Sequence, residues 1–451
     1  MRRQISFCTR SLSAILAYTV FASDCAYGTP IALEAAIQAA TNNSPEIHAA
    51  EARKKAAEWK RTEFFAGHLP TVGVSGNYLA AKKYVEMTFN MPGTTRPSTI
   101  PQILPSTNWI ASAQLPLYDG MATSSRVDAA SKAIESAESE INWLKFKISR
   151  EISMQYYKAI ATHALLEVAK QNLKTMNDHL KDVKLSKKVG LSTDFDILRV
   201  EVQTSEAQAE VLNAEDNVAM AQIRLEELIG TSSNGTTSEP LEPTGYLPQI
   251  GNASEQLAAK STTTIARDDL VALERRIDGL TATYQAASKS YYPRLSLFAQ
   301  YQYYNNQNDR FIDVDSFRAA WMSGVSLNWT LFDGRSSSAK ANQIANDMVE
   351  AEALLITKRN KGRTDAELWR RKLHYYSNLS ITRHNDVAKS EESLRLAKVG
   401  QKEGTRTTTD LLDSEAELFR SRANEINAQI GAIESLINFE IATGQKIKDL
   451  Y

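Results

Sequence analysis

The chain alternates between segments with two different hydrophobic periods. In four short segments, at about 71–82, 108–118, 294–304 and 318–332, apolar and polar residues alternate, which predicts β-strands. Aromatic residues such as Trp109, Tyr301 and Trp329 lie toward the ends of these segments. That pattern is typical of transmembrane β-strands, although half-buried strands of soluble sheets also show alternation.

The remaining sequence is dominated by helical periodicity without proline. Two long helices are predicted over 121–188 and 335–402, each roughly 100 Å in length at 1.5 Å per residue. A shorter helix follows each of them, over 193–229 and 407–443, with Ser192/Thr193 and Thr408/Thr409 as the predicted N-caps. Apolar residues recur every seven positions, as in Leu166, Leu173 and Leu180, which predicts coiled-coil packing with polar faces in water.

Three pairs of glycines reveal an internal duplication. The segments LPLYDG at 115–120 and WTLFDG at 329–334 are nearly the same, and each pair is 214 positions apart: Gly120 and Gly334, Gly190 and Gly404, Gly230 and Gly444. We therefore predict a first repeat over 29–230, a linker over 231–264, a second repeat over 265–446 and a tail over 447–451. The first repeat carries extra residues in a polar loop over 83–107.

These lengths predict one long helix antiparallel to two shorter helices in series, twice per chain, with the four strands at one end. Four strands cannot close a barrel, for which about eight are needed. Either the sheet is soluble, or several chains share one barrel, and three copies would provide twelve strands.

The N-terminal sequence predicts a secretory signal peptide over 1–28. Basic residues precede a short apolar run from Ser11 to Ala22, and Ala26-Tyr27-Gly28 is an acceptable cleavage site. Cys8 and Cys25 both fall in this segment, so the mature chain would lack cysteine. Lipidation of Cys25 is the alternative, and the preceding Asp24 argues against it.

Charge and motifs narrow the function classes. The 52 basic and 53 acidic residues nearly cancel, so there is no electrostatic case for a nucleic-acid partner. The six histidines show no zincin spacing, and neither a phosphate-binding glycine loop nor Gly-x-Ser-x-Gly occurs. We expect no enzyme activity, no cofactor and no metal site.

Several segments together resemble the TolC family of bacterial outer-membrane efflux channels. They are EAAIQAATNNSP ending at Pro45, the twin Tyr/Phe-Asp-Gly motifs, VGLSTDFDIL at 189–198 and EGTRTTTDLLD at 403–413. The resemblance implies a homotrimer in which a twelve-strand outer-membrane β-barrel continues into a long coiled-coil α-barrel across the periplasm. It also implies an exit duct for a tripartite efflux pump or type I secretion system, with outer-membrane lipid, a periplasmic adaptor and an inner-membrane transporter as partners.

The same resemblance assigns candidate site residues. The turns at Gly190 and Gly404 would form the inner mouth. Asp410 and Asp413 would line its constriction, and Asp196 and Arg406 would belong to a latch that holds it shut. The best-known family members have a tyrosine where this chain has Gln401, which predicts a weaker or differently wired latch.

Other interpretations remain open at this point. Asp410 and Asp413 are also ordinary carboxylates for the first turn of a helix, where they favour the helix dipole. An exported coiled-coil adaptor or scaffold without a pore would explain the heptads but not the paired strands. A peptidoglycan-associated protein has no positive signal. The sequence does not indicate whether the cargo is a drug, a metal or a protein.

Overall fold

The computed structural model describes residues 29–79, 84–89, 92–93, 98–103, 107–190, 192–230, 241–250, 265–305, 315 and 317–447. The predicted signal peptide, most of the predicted linker and the loop positions 306–314 lie outside these residues. Among the described residues, no helix combines the length and the apolar character that a membrane crossing requires.

Among the described residues, the first half contains four α-helices and most of the strands. In chain order they are β1 (Thr29–Ile31), α1 (Leu33–Asn43), α2 (Pro45–Phe65), β2 (Thr71–Tyr78), β3 (Tyr84–Phe89), β4 (Ser98–Ile103), β5 (Thr107–Tyr118), α3 (Ala122–Lys188) and α4 (Asp194–Ile229). Proline occupies the first position of α2, where its missing N–H costs nothing, and the Ser44 hydroxyl accepts a hydrogen bond from Ile47 N.

The second half repeats this order with fewer strands. It contains β6 (Leu241–Pro243), α5 (Asp268–Ser288), β7 (Arg294–Asn305), β8 (Arg318–Asn328), α6 (Ser336–Lys402) and α7 (Thr408–Thr443). Two strands are shorter than the alternation suggested: β2 ends at Tyr78 rather than near 82, and β8 at Asn328 rather than near 332. The alternating pattern continues past β8, but those residues no longer pair with β7.

The helices form a wall in which long and short helices alternate. The helix α3 packs against α2 and α4 on one side and against α5 and α7 on the other. The extensive contacts of α6 with other helices are those with α5 and α7. The C-terminal end of α7 lies beside the N-terminal end of α5, where Ala266 N donates a hydrogen bond to Thr443 O at 2.8 Å. The predicted arrangement of one long helix beside two short ones in series is thus confirmed in both halves.

The predicted heptad packing is confirmed along these helices. Leu166, Ala169, Met176 and Val183 of α3 are buried against Val200, Ala207, Val211 and Val218 of α4. In α7 the residues at the seven-residue interval are small, and all four are buried: Ser421, Ala428, Ser435 and Ala442. Small side chains at this interval let the helix backbones approach closely.

The four long strands form one antiparallel sheet with the order β2-β5-β7-β8. The two halves meet at its centre, where Ala113 of β5 lies opposite Ala299 of β7. Among the described residues, no strand pairs with the outer side of β2 or β8. Every residue of β2 is exposed in the single chain. The sheet therefore has two open edges.

The polar loop predicted over 83–107 contains regular structure, which the sequence prediction missed. Here β3 pairs with β4 in a separate antiparallel hairpin, with Tyr84 opposite Ile103 and Phe89 opposite Ser98. The physical reason is local: β-branched and aromatic residues predominate in these two runs, and the Pro92-Gly93 turn lies between them.

The twin Asp-Gly motifs are corners between a strand and a long helix. Asp119 Oδ2 accepts a hydrogen bond from Thr123 N at 2.7 Å, and Asp333 Oδ2 accepts one from Ser337 N at 2.9 Å. A Cβ on Gly120 would lie 2.6 Å from Cβ of Tyr292, so only glycine fits this close approach. The motif is therefore explained by the start of a helix rather than by a ligand.

The largest hydrophobic core lies in a belt partway along the helices. It joins residues of α1, α2, α3, α4, α6 and α7 with Ile250, and its most enclosed members include Ile152, Leu225, Ile433 and Leu436. Parallel pairing of β1 with β6 lies beside this belt, and the Tyr156 hydroxyl donates to Ile31 O at 3.1 Å.

Candidate gate at the helix tips

The two helix-to-helix turns lie together at the end opposite the sheet. They are centred on Gly190, with φ +80°, and Gly404, with φ +72°. A Cβ at either glycine would meet no atom within 4 Å. Glycine is therefore favoured here by the left-handed backbone conformation and not by a close contact. Arg199 Nη1 of α4 donates to Thr409 Oγ1 of α7 at 2.9 Å, which connects the tips of the two repeats directly.

Asp196 and Asp410 have the same local role in the two repeats. Asp196 Oδ2 accepts hydrogen bonds from Thr193 N and Oγ1 at 2.8 and 2.7 Å, and Thr193 Oγ1 accepts one from Asp196 N at 3.2 Å. Asp410 forms the same reciprocal capping box with Thr407, whose N and Oγ1 are both 2.9 Å from Oδ2. The N-cap of α7 is therefore Thr407, one residue before the predicted Thr408/Thr409 pair.

The capping boxes also set the charge of these two acids. Hydrogen bonds from the Thr193 backbone and hydroxyl lower the pKa of Asp196, and those from Thr407 lower the pKa of Asp410. Both carboxylates are consequently anionic at neutral pH. One carboxylate oxygen of each acid is used by the cap, which leaves the second available for another contact.

Asp413 lies one turn further along α7 and has a different environment. It is exposed and borders a cavity of about 280 Å³ between α3, α4 and α7. No ion pair within 4 Å involves Asp413 in the part of the chain that the structure describes. Its charge is therefore not neutralised inside the single chain.

The expected latch residues are close in sequence but are not all brought together. Arg406 folds back over Gly400, where an added Cβ would lie 2.6 Å from Arg406 Cγ, and Arg406 N donates to Gly400 O at 3.1 Å. Gln401 lines the same cavity as Arg406. Within the described ranges, no ion pair joins Arg406 to Asp196 or to any other carboxylate.

Other polar contacts at the tip were missed by sequence reasoning. Besides Arg199–Thr409, Lys187 pairs with Asp194 across the first turn, and Lys184 Nζ lies 2.8 Å from Glu201 Oε1. Opposite charges on adjacent predicted helices were the available signal for both ion pairs. Nothing in the repeat pattern pointed to Arg199, because its bond to Thr409 joins positions that are not repeat mates.

Comparison with known proteins places this geometry in a known group. The family model described as outer membrane efflux protein matches residues 36–231 and 261–445. The chain is 22% identical over 331 residues to the outer membrane protein TolC of Vibrio cholerae, which covers 70% of this chain and 72% of that protein. It is 21% identical over 342 residues to nodulation protein T of Rhizobium leguminosarum bv. trifolii, covering 70% and 68%.

Solved structures share the fold over nearly the whole chain. The outer-membrane channel OprN aligns with a TM-score of 0.71 and 18% identity, covering 92% of this chain and 90% of that one. The outer membrane protein VceC of Vibrio cholerae aligns with a TM-score of 0.70 and 18% identity, covering 91% and 96%. CusC aligns with a TM-score of 0.72 and 13% identity, covering 92% of both chains.

Proposed function

The chain belongs to the outer membrane efflux protein family, and from that membership we propose that it is the outer-membrane exit duct of a tripartite efflux pump or a type I secretion system. In this function it would carry substrates from an inner-membrane transporter and a periplasmic adaptor to the exterior. It would be located in the outer membrane and extend into the periplasm. Its work would be conduction and gating rather than catalysis.

The observation that carries this proposal is the open-edged sheet at one end of the long helices. Unpaired backbone groups on β2 and β8 would be too costly in lipid, because nothing there satisfies their hydrogen bonds. Pairing of β8 in one copy with β2 in the next would remove both edges. Three copies would then close a twelve-strand barrel, and the helix walls would continue it as a hollow cylinder.

The proposed orientation places the sheet end outward and the helix tips inward. The β3–β4 hairpin and the 305–315 loop would then face the outside of the cell. An epitope tag inserted at Gly93, between β3 and β4, should be accessible to antibody on intact cells. A tag that is labelled only after the outer membrane has been broken would contradict this topology.

At the inner mouth, we assign Asp410 and Asp413 to a cation-binding ring. Three-fold symmetry would bring three copies of each acid around one narrow opening. The lowered pKa of Asp410 keeps it ionised at neutral pH, and Asp413 has no cationic neighbour within 4 Å among the described residues. A multivalent cation would relieve the repulsion between such carboxylates.

The test of this ring is block of conductance by a trivalent cation such as hexamminecobalt added on the periplasmic side. The double variant Asp410→Ala/Asp413→Ala should lose the block and still assemble. A matched control, Glu215→Ala/Asp216→Ala, removes two exposed acids from the middle of α4 and should leave the block unchanged. Equal block of the double variant and the parent protein would exclude these acids from the pore.

We further propose that the latch is held partly by Arg199 and Thr409. Their hydrogen bond joins the tips of the two repeats, whereas the Cβ and Cγ of Arg406 pack against Gly400 at its own turn. Replacing Arg199 by Gln should raise the resting conductance more than replacing Arg406 by Gln, and loss of Asp196 should also raise it. With Gln401 in place of tyrosine, the Arg406 effect is expected to be modest. A larger rise in conductance from replacing Arg406 would contradict this proposal and favour the latch implied by the family resemblance.

A further inference from the structure

A cavity of about 660 Å³ lies just behind the inner mouth, where α3, α6 and the start of α7 meet. Charged and titratable side chains from all three helices and from the turn before α7 line it: Asp178, His179, Asp182, Lys398, Lys402, Arg406 and Glu415. Gln401 and Thr407, which belong to the candidate gate, line it as well. Any change in packing here therefore acts directly on the tip.

His179 is the residue in this cavity whose environment is least like water. The residue is 7% exposed, and its Nε2 is fully buried without a hydrogen-bond partner among the described residues. Burial lowers the pKa of His179, and the Lys398 cation on α6 lowers it further, while the exposed Asp182 on the same helix raises it. The imidazole is therefore neutral in this packing, and a proton on it would be unfavourable.

Lys398 and Glu415 face the same cavity from α6 and α7. Glu415 is 6% exposed, its Oε1 lies 3.8 Å from Lys398 Nζ, and its buried Oε2 has no hydrogen-bond partner in the described part of the chain. Burial raises the pKa of Glu415, and Lys398 partly opposes that rise. A lysine held between an imidazole and a buried carboxyl makes the charge of this cluster sensitive to protons.

We propose that His179 is a proton-sensitive catch, which holds α3 against α6 and α7 while neutral and releases the inner mouth when it is protonated. This inference rests on the proposed function, because release of the tip opens a passage only if the tips form a gate. A protonated His179 would place a second cation beside Lys398 without a hydrogen-bond partner for Nε2. Separation of the helices would expose the ring to water and relieve that cost.

The direction of the pH effect follows from proton linkage. The closed packing lowers the pKa of His179, so the closed state binds fewer protons than an open state with an ordinary histidine, whose pKa is about 6.5. The stability of the closed tip is complete above that pH and decreases as the pH falls. One proton per histidine limits the change to about tenfold per pH unit for each copy.

Glu415 acts in the opposite direction. Because its pKa is raised in the closed packing, protonation of this carboxyl favours closure, and that contribution is lost as the pH rises through the raised value. Opening should thus be greatest in mildly acidic solution, between the onset of histidine protonation and the protonation of Glu415. The variant Glu415→Gln should remove the decline in opening on the acid side.

The experiment compares single-channel open probability and hydrogen exchange of the full-length protein at pH 7.5 and 5.5. We expect the parent protein to open more often at pH 5.5 and to exchange faster over 176–188 and 394–402 after correction for intrinsic rates. His179→Gln should abolish both increases and leave only the opposite effect of Glu415. Asp182 lies one turn from His179 on the same helix, so its carboxylate favours protonated His179 in the closed and the open tip alike. Asp182→Asn, at an exposed position, should therefore lower the pKa of His179 in both states and move the transition to lower pH.

A matched histidine variant separates this catch from general effects of acid. His384→Gln removes an exposed histidine of α6 that lies outside the cavity and 2.7 Å from Glu425. This variant should behave as the parent protein. An acid response retained in His179→Gln, or an unmoved transition in Asp182→Asn, overturns the proposal.

The two readouts also separate this proposal from the proposed function. A His179-dependent change in exchange without conductance at any pH would contradict the channel and leave the catch standing. Conductance whose acid response does not depend on His179 would contradict the catch alone. If His179→Gln does not fold, the pH of the opening transition in Asp182→Asn still tests the proposal.

Discussion

The two long helices α3 and α6 are repeat mates of equal length, 67 residues each, yet they occupy different environments. In α3, 19 residues are buried, whereas α6 has 10, so nearly twice as much of α3 is enclosed. The difference does not come from length or from the constant 214-residue offset. It comes from position, because α3 has helices on both sides and α6 has them on one.

This comparison shows how a duplicated chain forms a unit that is incomplete alone. The helix α6 retains exposed apolar residues, among them Val349, Ile356, Tyr375 and Leu396. The opposite margin of the wall, at α4, exposes Phe195, Leu198 and Ile223. In the proposed trimer these two margins would meet between copies, as β8 and β2 would in the sheet.

The largest expected effect lies where α3 contacts α7 through a buried ion pair. Arg150 Nη1 lies 2.9 Å from Glu440 Oε2, with side chains 5% and 0% exposed, and Glu440 Oε1 also accepts from Ile447 N at 2.7 Å. Glu440→Gln would leave the arginine charge buried without its counter-ion and should lower the free energy of unfolding by about 3–5 kcal/mol. Denaturant titration in detergent measures this.

The repeat provides the matched control for that variant. Glu226 is the mate of Glu440, is half-buried, and accepts from Leu241 N at 3.4 Å. Because Glu226 is half-buried, water remains within reach of its carboxylate and screens its charge. Glu226→Gln should therefore cost about 1 kcal/mol or less. Equal losses in the two variants would show that the ion pair does not distinguish the halves.

The next prediction compares how deeply the two long helices are buried, with one isoleucine replaced in each. Ile152 of α3 is 0% exposed and Ile356 of α6 is 58% exposed. Ile152→Ala should cost about 2–5 kcal/mol because it leaves a cavity within the chain, and Ile356→Ala should change the stability of the single chain by about 0.5 kcal/mol or less, because this side chain could be covered only between copies. Thermal unfolding of the monomeric chain, monitored by circular dichroism, compares them. A greater loss from Ile356→Ala would reverse the assignment of α3 as the enclosed helix.

A smaller effect is expected at the two tip caps, where the repeats are alike. Thr193→Ala and Thr407→Ala should each destabilise the start of its helix by about 1 kcal/mol, because each removes the hydroxyl of a capping box. Hydrogen exchange over the first turn of α4 and of α7 measures the local loss. Unequal losses would mean that the tips are not equivalent before any gate contact is considered.

The smallest effect is the acid response of these caps. Hydrogen bonds in the closed turns lower the pKa of Asp196 and Asp410 from the ordinary 3.8, so this contribution is complete above that value and is lost as the pH falls toward the lowered values. In the His179→Gln variant, which lacks the proposed catch, exchange in the first turns should accelerate only below about pH 4. Acceleration near pH 6 would instead point to another titrating group.

The sequence predicted what periodicity and duplication determine, and missed what depends on single contacts. The helix ends followed from glycine and threonine at the constant offset, although Thr407 rather than Thr408 is the second cap. Alternation extended the β8 prediction past Asn328, because alternation does not depend on having a partner strand. The candidate acids were found by resemblance. The Arg199–Thr409 hydrogen bond and the contact of Lys398 with the buried Glu415 were not found, since each depends on how two separate helices pack.

The central claim is that copies of this chain form a pore, and single-channel recording of the purified full-length protein in a planar bilayer tests it most directly. We predict discrete conductance steps from a species with the mass of three chains, with block by a trivalent cation on one side only. A trimer that inserts into the bilayer without conductance steps, or steps without sided block, would contradict the duct or its acidic mouth, respectively. A monomer that remains in solution would contradict the shared barrel itself.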